Sequence, residues 1–175
     1  MGHSGSAQSN QFSAAEARSL QAAYAVCIEA QQFFRRAAQQ VANSNLRYKF
    51  LQLANLHLAA AQRLAKTCGE AETAPDYRSE LAAVQFWYLH QAAALSEQAL
   101  QQQMLAELAA VLQQQIRGLR QLAGELHSRL IRVELAQLVA DLQISNDQLQ
   151  PLLKELQAAR QCGKRPGGGD SEKHH

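Results

Sequence analysis

The sequence predicts an all-α protein, an antiparallel four-helix bundle of two helical hairpins with an extra helix between them. Three observations predict it. Ala, Leu, Gln, Glu and Arg, all strong helix formers, dominate, while Val, Ile and Thr are sparse. Apolar residues recur at alternating spacings of three and four, which gathers them on one stripe of a helix. Between residues 11 and 160 only Pro75 and Pro151 interrupt, so long helices joined by few turns are expected.

The first helix is expected over 12–42, with Leu20, Ala23, Cys27, Ala30, Phe34, Ala37 and Val41 on its stripe. NSN at 43–45 reads as a tight turn, with Asn43 suited to a left-handed stop and Ser44 to an N-cap. The second helix, 45–68, carries Leu46, Phe50, Leu53, His57, Ala60 and Leu64 inward, and Gly69 stands where a C-terminal cap belongs. A turn this short makes the two helices an antiparallel hairpin. After a loop to Pro75, Asp76 can cap a third helix, 77–95, which holds the densest aromatic run, Phe86, Trp87 and Tyr88. Ser96 is a weak break, so this helix can run on into the next.

A fourth helix over 97–126 places Leu105, Leu108, Leu112, Gln115, Leu119, Leu122 and Leu126 in heptad positions. A turn at 127–129 (HSR) opens the last helix, which reaches about 160 with Ile131, Leu135, Leu138, Leu142, Ser145, Leu149 and Leu156 aligned. SND at 145–147, just before Pro151, predicts a kink or a fresh start, because proline is tolerated in a first turn. A shift of 85 residues lays Val41 on Leu126, Leu46 on Ile131, Phe50 on Leu135 and Leu53 on Leu138. Two hairpins related this way are the pattern of a duplicated bundle. Residues 1–10 and 161–175 are expected to be disordered tails flanking a single domain at 11–160.

Composition excludes several classes of function. The formal net charge is +2 with acids and bases interleaved, and the pairs Arg35/Arg36, Arg117/Arg120 and Arg129/Arg132 are too scattered for the basic stripe of a nucleic-acid binder. The most apolar window, residues 81–95, is too short and too polar for a transmembrane segment. Cys27, Cys68 and Cys162 make no CxxC pair and an odd number, which argues against a disulfide framework and fits a reducing, cytoplasmic setting. No signal peptide is visible. GGG at 167–169 precedes no helix and is no phosphate loop. No serine–histidine–acid set assembles, and enzyme signals are absent.

The stretch CIEAQQFFRRAAQQVANSNLRYKFLQLANLHLAAAQRL, residues 27–64, has an aromatic pair, an alanine pair, a short turn and then L-x-x-x-F-x-x-L-A. It resembles the first hairpin of ferritin-like bundles of the rubrerythrin-related branch. Within that branch it is similar to small uncharacterised bacterial members in which a tryptophan-bearing helix, here that of Trp87, lies between the hairpins. Active members of the fold hold two irons with a glutamate on each of two helices and Glu-x-x-His on each of the others. At the positions the resemblance implies, this chain has His57 and Ala60 on the second helix, Leu142 and Ser145 on the last, and Cys27 and Leu112 on the first and fourth. Glu29 falls two residues past the inward position. The carboxylates that a pair of irons needs are missing.

His57 is therefore the informative residue. Helical spacing aims it inward with Cys27, Gln115 and Ser145, which predicts a buried polar group of these four side chains. One histidine without carboxylates makes a poor metal site, so a register-fixing role is expected and no cofactor is assigned. Cys27 reads as a small buried hydrophobe, and His90 and His127 as surface residues. Phe86, Trp87 and Tyr88 cover more than one helix face, so they are either sandwiched or partly exposed as an interface. The expected function is a non-catalytic interaction or stress-associated bundle with a protein partner, a homodimer being the commonest case. The alternatives are a metal- or redox-active protein using His57 with Cys27, the metal being iron or another transition metal, and an amphipathic coat on lipid or polymer surfaces.

Overall fold

The computed structural model describes residues 13–68 and 80–164. Among them run five helices, α1 (Ala14–Gln40), α2 (Ser44–Cys68), α3 (Glu80–Ala94), α4 (Gln98–Glu125) and α5 (Arg129–Lys164). The all-α expectation is met. No helix among the described residues is long and apolar enough to cross a membrane.

Local signals set most boundaries. Ser13 and Glu16 form a capping box, each satisfying the other's backbone N–H at 3.0–3.1 Å. Glu16 also accepts from the His127 backbone N–H at 2.9 Å, which ties the start of α1 to the α4–α5 turn. That bond, and the one from Ser13, hold the Glu16 carboxyl below its ordinary pKa. The turn after α1 differs from expectation. Val41 ends the helix in extended backbone (φ −85°), and Asn43, not Ser44, caps α2 by accepting from the Leu46 N–H at 2.9 Å. An amide oxygen at this position reaches the orphan N–H that a left-handed Asn43 would leave open.

Further corrections follow along the chain. α3 stops at Ala94 and does not run on, because Leu95 is buried in the turn and Gln101 Nε2 donates to its carbonyl at 3.2 Å. The last turn is 126–128, with Ser128 Oγ accepting from the Ile131 N–H at 3.4 Å. No new helix starts at SND: α5 passes through Pro151 unbroken to Lys164, four residues into the stretch expected to be a tail. Burial of Asn146, Leu149 and Leu153 holds both sides of Pro151 on the bundle while the proline itself is exposed. Tertiary packing outweighs the lost backbone bond, which costs about 3 kcal/mol in an isolated helix. The cap at Asp76, the stop at Gly69, the terminal residues 1–10 and GGG at 167–169 lie outside the described residues.

Each helix packs on two main neighbours, in the order α1, α2, α5, α4, α3 and back to α1. Cross-links fix directions. Lys49 meets Gln148 and Arg63 meets Glu134, so α2 and α5 are antiparallel. Glu16 meets His127 and Gln40 meets Gln101, so α1 and α4 are antiparallel too. α2 and α4 therefore point the same way, and the chain must climb back along the bundle between them. α3 makes about 22 Å of that return at 1.5 Å per residue. It wedges between α1 and α4, with Phe33 of α1 against Trp87 and Tyr88, and Gly118 of α4 under Leu81.

Candidate functional site

The centre of the bundle holds one hydrogen-bonded chain that crosses three helices. His57 on α2 is completely buried, and its Nδ1 lies 2.7 Å from the Leu53 carbonyl oxygen one turn earlier. A carbonyl can only accept, so Nδ1 carries the proton and Nε2 is left as an acceptor. Gln115 on α4 donates its amide N–H to that Nε2 at 2.9 Å, which turns its Oε1 away. Tyr88 on α3 donates its hydroxyl to this Oε1 at 2.6 Å. The direction of every proton in the chain thus follows from one backbone carbonyl.

Aromatic rings enclose the imidazole. Phe34 stacks on it at 5.7 Å, Tyr88 meets it edge-on at 6.5 Å, and Phe50 backs Phe34 at 5.5 Å. Burial among these rings pushes the His57 pKa down to about 4, opposed by the Leu53 carbonyl. It raises the Tyr88 phenol well above its ordinary value. The Cys27 thiol, free and buried, is pushed up to about 12. The phenol and the thiol therefore stay protonated at neutral pH, and the lone pair of the neutral imidazole is engaged by the Gln115 amide.

The four side chains expected to form the polar core are all buried, but only two join this chain. His57 and Gln115 bond to each other, while Cys27 and Ser145 have no hydrogen bond to them. Of the aromatic run offered as an interface, Tyr88 is fully buried and Trp87 is half-buried, with its Nε1 donating to Glu107 at 2.8 Å. Only Phe86 is exposed, packed on His90 at 3.8 Å. Helix geometry decides this, since Leu81, Val84 and Tyr88 share the inward face of α3. That spacing was present in the sequence and marks Tyr88 as a core residue.

Three further polar residues are buried. Gln31 and Lys49 lie at helix seams, and Asn146 is completely buried, with neither amide atom finding a partner among the described residues. Glu107 serves Trp87 at the α3–α4 seam, and Glu29 is half-exposed on α1, so neither stands in for a missing core acid. His90 and His127 are exposed. Among the described residues no group of three or more His, Cys, Asp or Glu side chains converges. The inward positions Cys27, Ala60, Leu112, Leu142 and Ser145 do not fit two irons, and the one imidazole present has both nitrogens committed.

Fold and site together define a class, an all-helical protein whose centre is a closed hydrogen-bond chain in an aromatic cage. Neither a family model, nor a curated protein, nor a solved structure matches the chain.

Proposed function

We propose that this protein is a non-catalytic bundle of the ferritin-like kind, with α1–α2 and α4–α5 as its hairpins and α3 as the return segment. It acts as an interaction or stress-associated protein in the cytoplasm, where the free Cys27 thiol persists. Antiparallel neighbours with a single long return connection support the ferritin-like arrangement. The commitment of both His57 nitrogens carries the reading of the site, because a ligand imidazole needs a free lone pair. The chain instead pins α2, α3 and α4 in one register, as single buried polar residues do in coiled coils.

Metal analysis and absorption spectroscopy on protein from iron-supplemented cells test this. The expected result is substoichiometric metal, unchanged in His57→Leu. Stoichiometric iron that disappears in that variant would show the proposal to be wrong and favour iron chemistry. The interaction proposed is self-association, supported by Phe86 and Leu89, which are 58% and 55% exposed on the outer face of α3. Light scattering should report a dimer that Phe86→Ser with Leu89→Ser dissociates; a wild-type monomer at every concentration refutes it.

A further inference from the structure

Lys49 stands against the charge rule of helices. The N-terminal end of a helix is positively polarised and favours acids, yet α2 has no acid in its first turn and none in its 25 residues, and it brings Arg47 and Lys49 in early. Lys49 is nonetheless only 8% exposed, sunk against α5. Its ammonium donates to Gln52 Oε1 at 2.7 Å and to Gln148 Oε1, and it belongs to neither ion pair seen among the described residues. Burial pulls its pKa below the usual range. A sequestered cation with amide partners alone is a local rule broken without a structural return, which is a mark of binding sites.

The two glutamines connect Lys49 to a cavity. Each turns its carbonyl oxygen to the ammonium, so each must turn its amide N–H2 group away. Gln52 Nε2 donates to the Tyr48 hydroxyl at 3.2 Å, while the Gln148 amide group has no acceptor among the described residues. Both side chains line a groove of about 390 Å³ between α2 and α5, completed by Asn55, Leu56, Asp141, Ile144 and Ser145. Along α5, Ser145 is one turn from Gln148 and Asp141 is two, about 10 Å away. Among the described residues Asp141 is bonded only to Gln137, at 3.0 Å. A cation backs one end, a carboxylate marks the other, and Ile144 lies between them.

We propose that the α2–α5 groove binds a small linear zwitterion. Its carboxylate lies at the Lys49 end on the Gln148 and Ser145 donors, its ammonium on Asp141, and its methylene stem over Ile144. The pairing is by charge and length, so an ω-amino acid is the simplest member of the class. A plain anion meets Asp141 without compensation, and a plain cation meets Lys49.

Calorimetric titration of the full chain with 6-aminohexanoate, hexanoate and hexylamine tests the pairing. The zwitterion should bind about tenfold more tightly than either singly charged analogue. Lys49→Met should weaken it about tenfold while leaving hexylamine where it was or improved, and Asp141→Asn should weaken it about tenfold while leaving hexanoate where it was or improved. Thermal unfolding shows whether Lys49→Met still folds, and the partly exposed Asp141→Asn carries the test alone if it does not. No heat from 6-aminohexanoate, equal binding of either analogue, or binding indifferent to Asp141→Asn overturns the proposal.

Discussion

The first hairpin, α1–α2, and the second, α4–α5, bury the same positions 85 residues apart and fill them differently. Leu20 answers to Leu105, Val26 to Val111, Leu53 to Leu138 and Leu64 to Leu149, and all are buried. Even the turns coincide: Val41 and Leu126 share φ near −85° and −89° with ψ near 141° and 142°, and Asn43 and Ser128 each accept from the N–H three residues on. The first hairpin fills its half with Phe33, Phe34 and Phe50, where the second has Gly118, Leu119 and Leu135. The polar residues break the correspondence. His57 answers to Leu142, Gln115 to Ala30 and Asn146 to Ala61. A repeated apolar lattice can pair in more than one register, and an unmatched polar link that is satisfied in only one of them removes the ambiguity.

Cutting that link is the largest expected effect. Gln115→Leu strands the His57 acceptor and the Tyr88 donor in the core, at a cost of about 4 kcal/mol in denaturant unfolding. The combination His57→Leu, Gln115→Leu and Tyr88→Phe leaves nothing stranded and should recover most of the loss. Equal stability of the single and triple variants would show that the chain sets nothing.

The imidazole also makes the link sensitive to acid. With its pKa near 4 when folded and 6.5 as the unperturbed value, His57 binds a proton in the unfolded chain before it does in the folded one. Its contribution is whole above pH 6.5, declines as pH falls to 4, and amounts to about 3 kcal/mol at full loss. Unfolding free energy should fall over that window, and less steeply in the triple variant. A slope unchanged by removing His57 assigns the acid sensitivity elsewhere.

Asn146, another unmatched polar residue of the second hairpin, differs in finding no partner among the described residues. Asn146→Leu, close in shape, should therefore raise stability by about 1–2 kcal/mol. A loss of similar size would mean that the amide is satisfied in solution.

Which of these features the sequence announced follows from how each is determined. Stripe spacing is a property of one helix, so the inward faces, including His57 and Gln115, are readable without neighbours. The cap at Asn43 was missed because two adjacent residues, Asn43 and Ser44, both suit capping, and only backbone geometry chooses between them. The continuity of α5 was missed because Pro151 is a strong local signal that contacts from α2 and α4 override. Tyr88 was hidden by its flanking aromatics, and of the partners of Lys49 one, Gln148, sits on another helix.

The smallest effects distinguish how α3 leans on the two hairpins. It meets Phe33 on the first and Gly118, the residue 85 positions on, on the second. A Cβ at Gly118 would lie 2.9 Å from Leu81 Cδ2 and 3.0 Å from its Cγ, whereas one at Gly124 meets nothing within 4 Å. Both glycines are helical, so alanine removes a backbone-entropy cost of roughly 0.5–1 kcal/mol at either. At Gly124 that gain stands alone, reduced by its place in the last turn, and Tm should rise slightly. At Gly118 the Leu81 side chain must shift and α3 with it, so Gly118→Ala should be neutral or destabilising despite the same substitution. Equal gains at both sites would mean that α3 rests on the second hairpin more loosely than its contact with Gly118 implies.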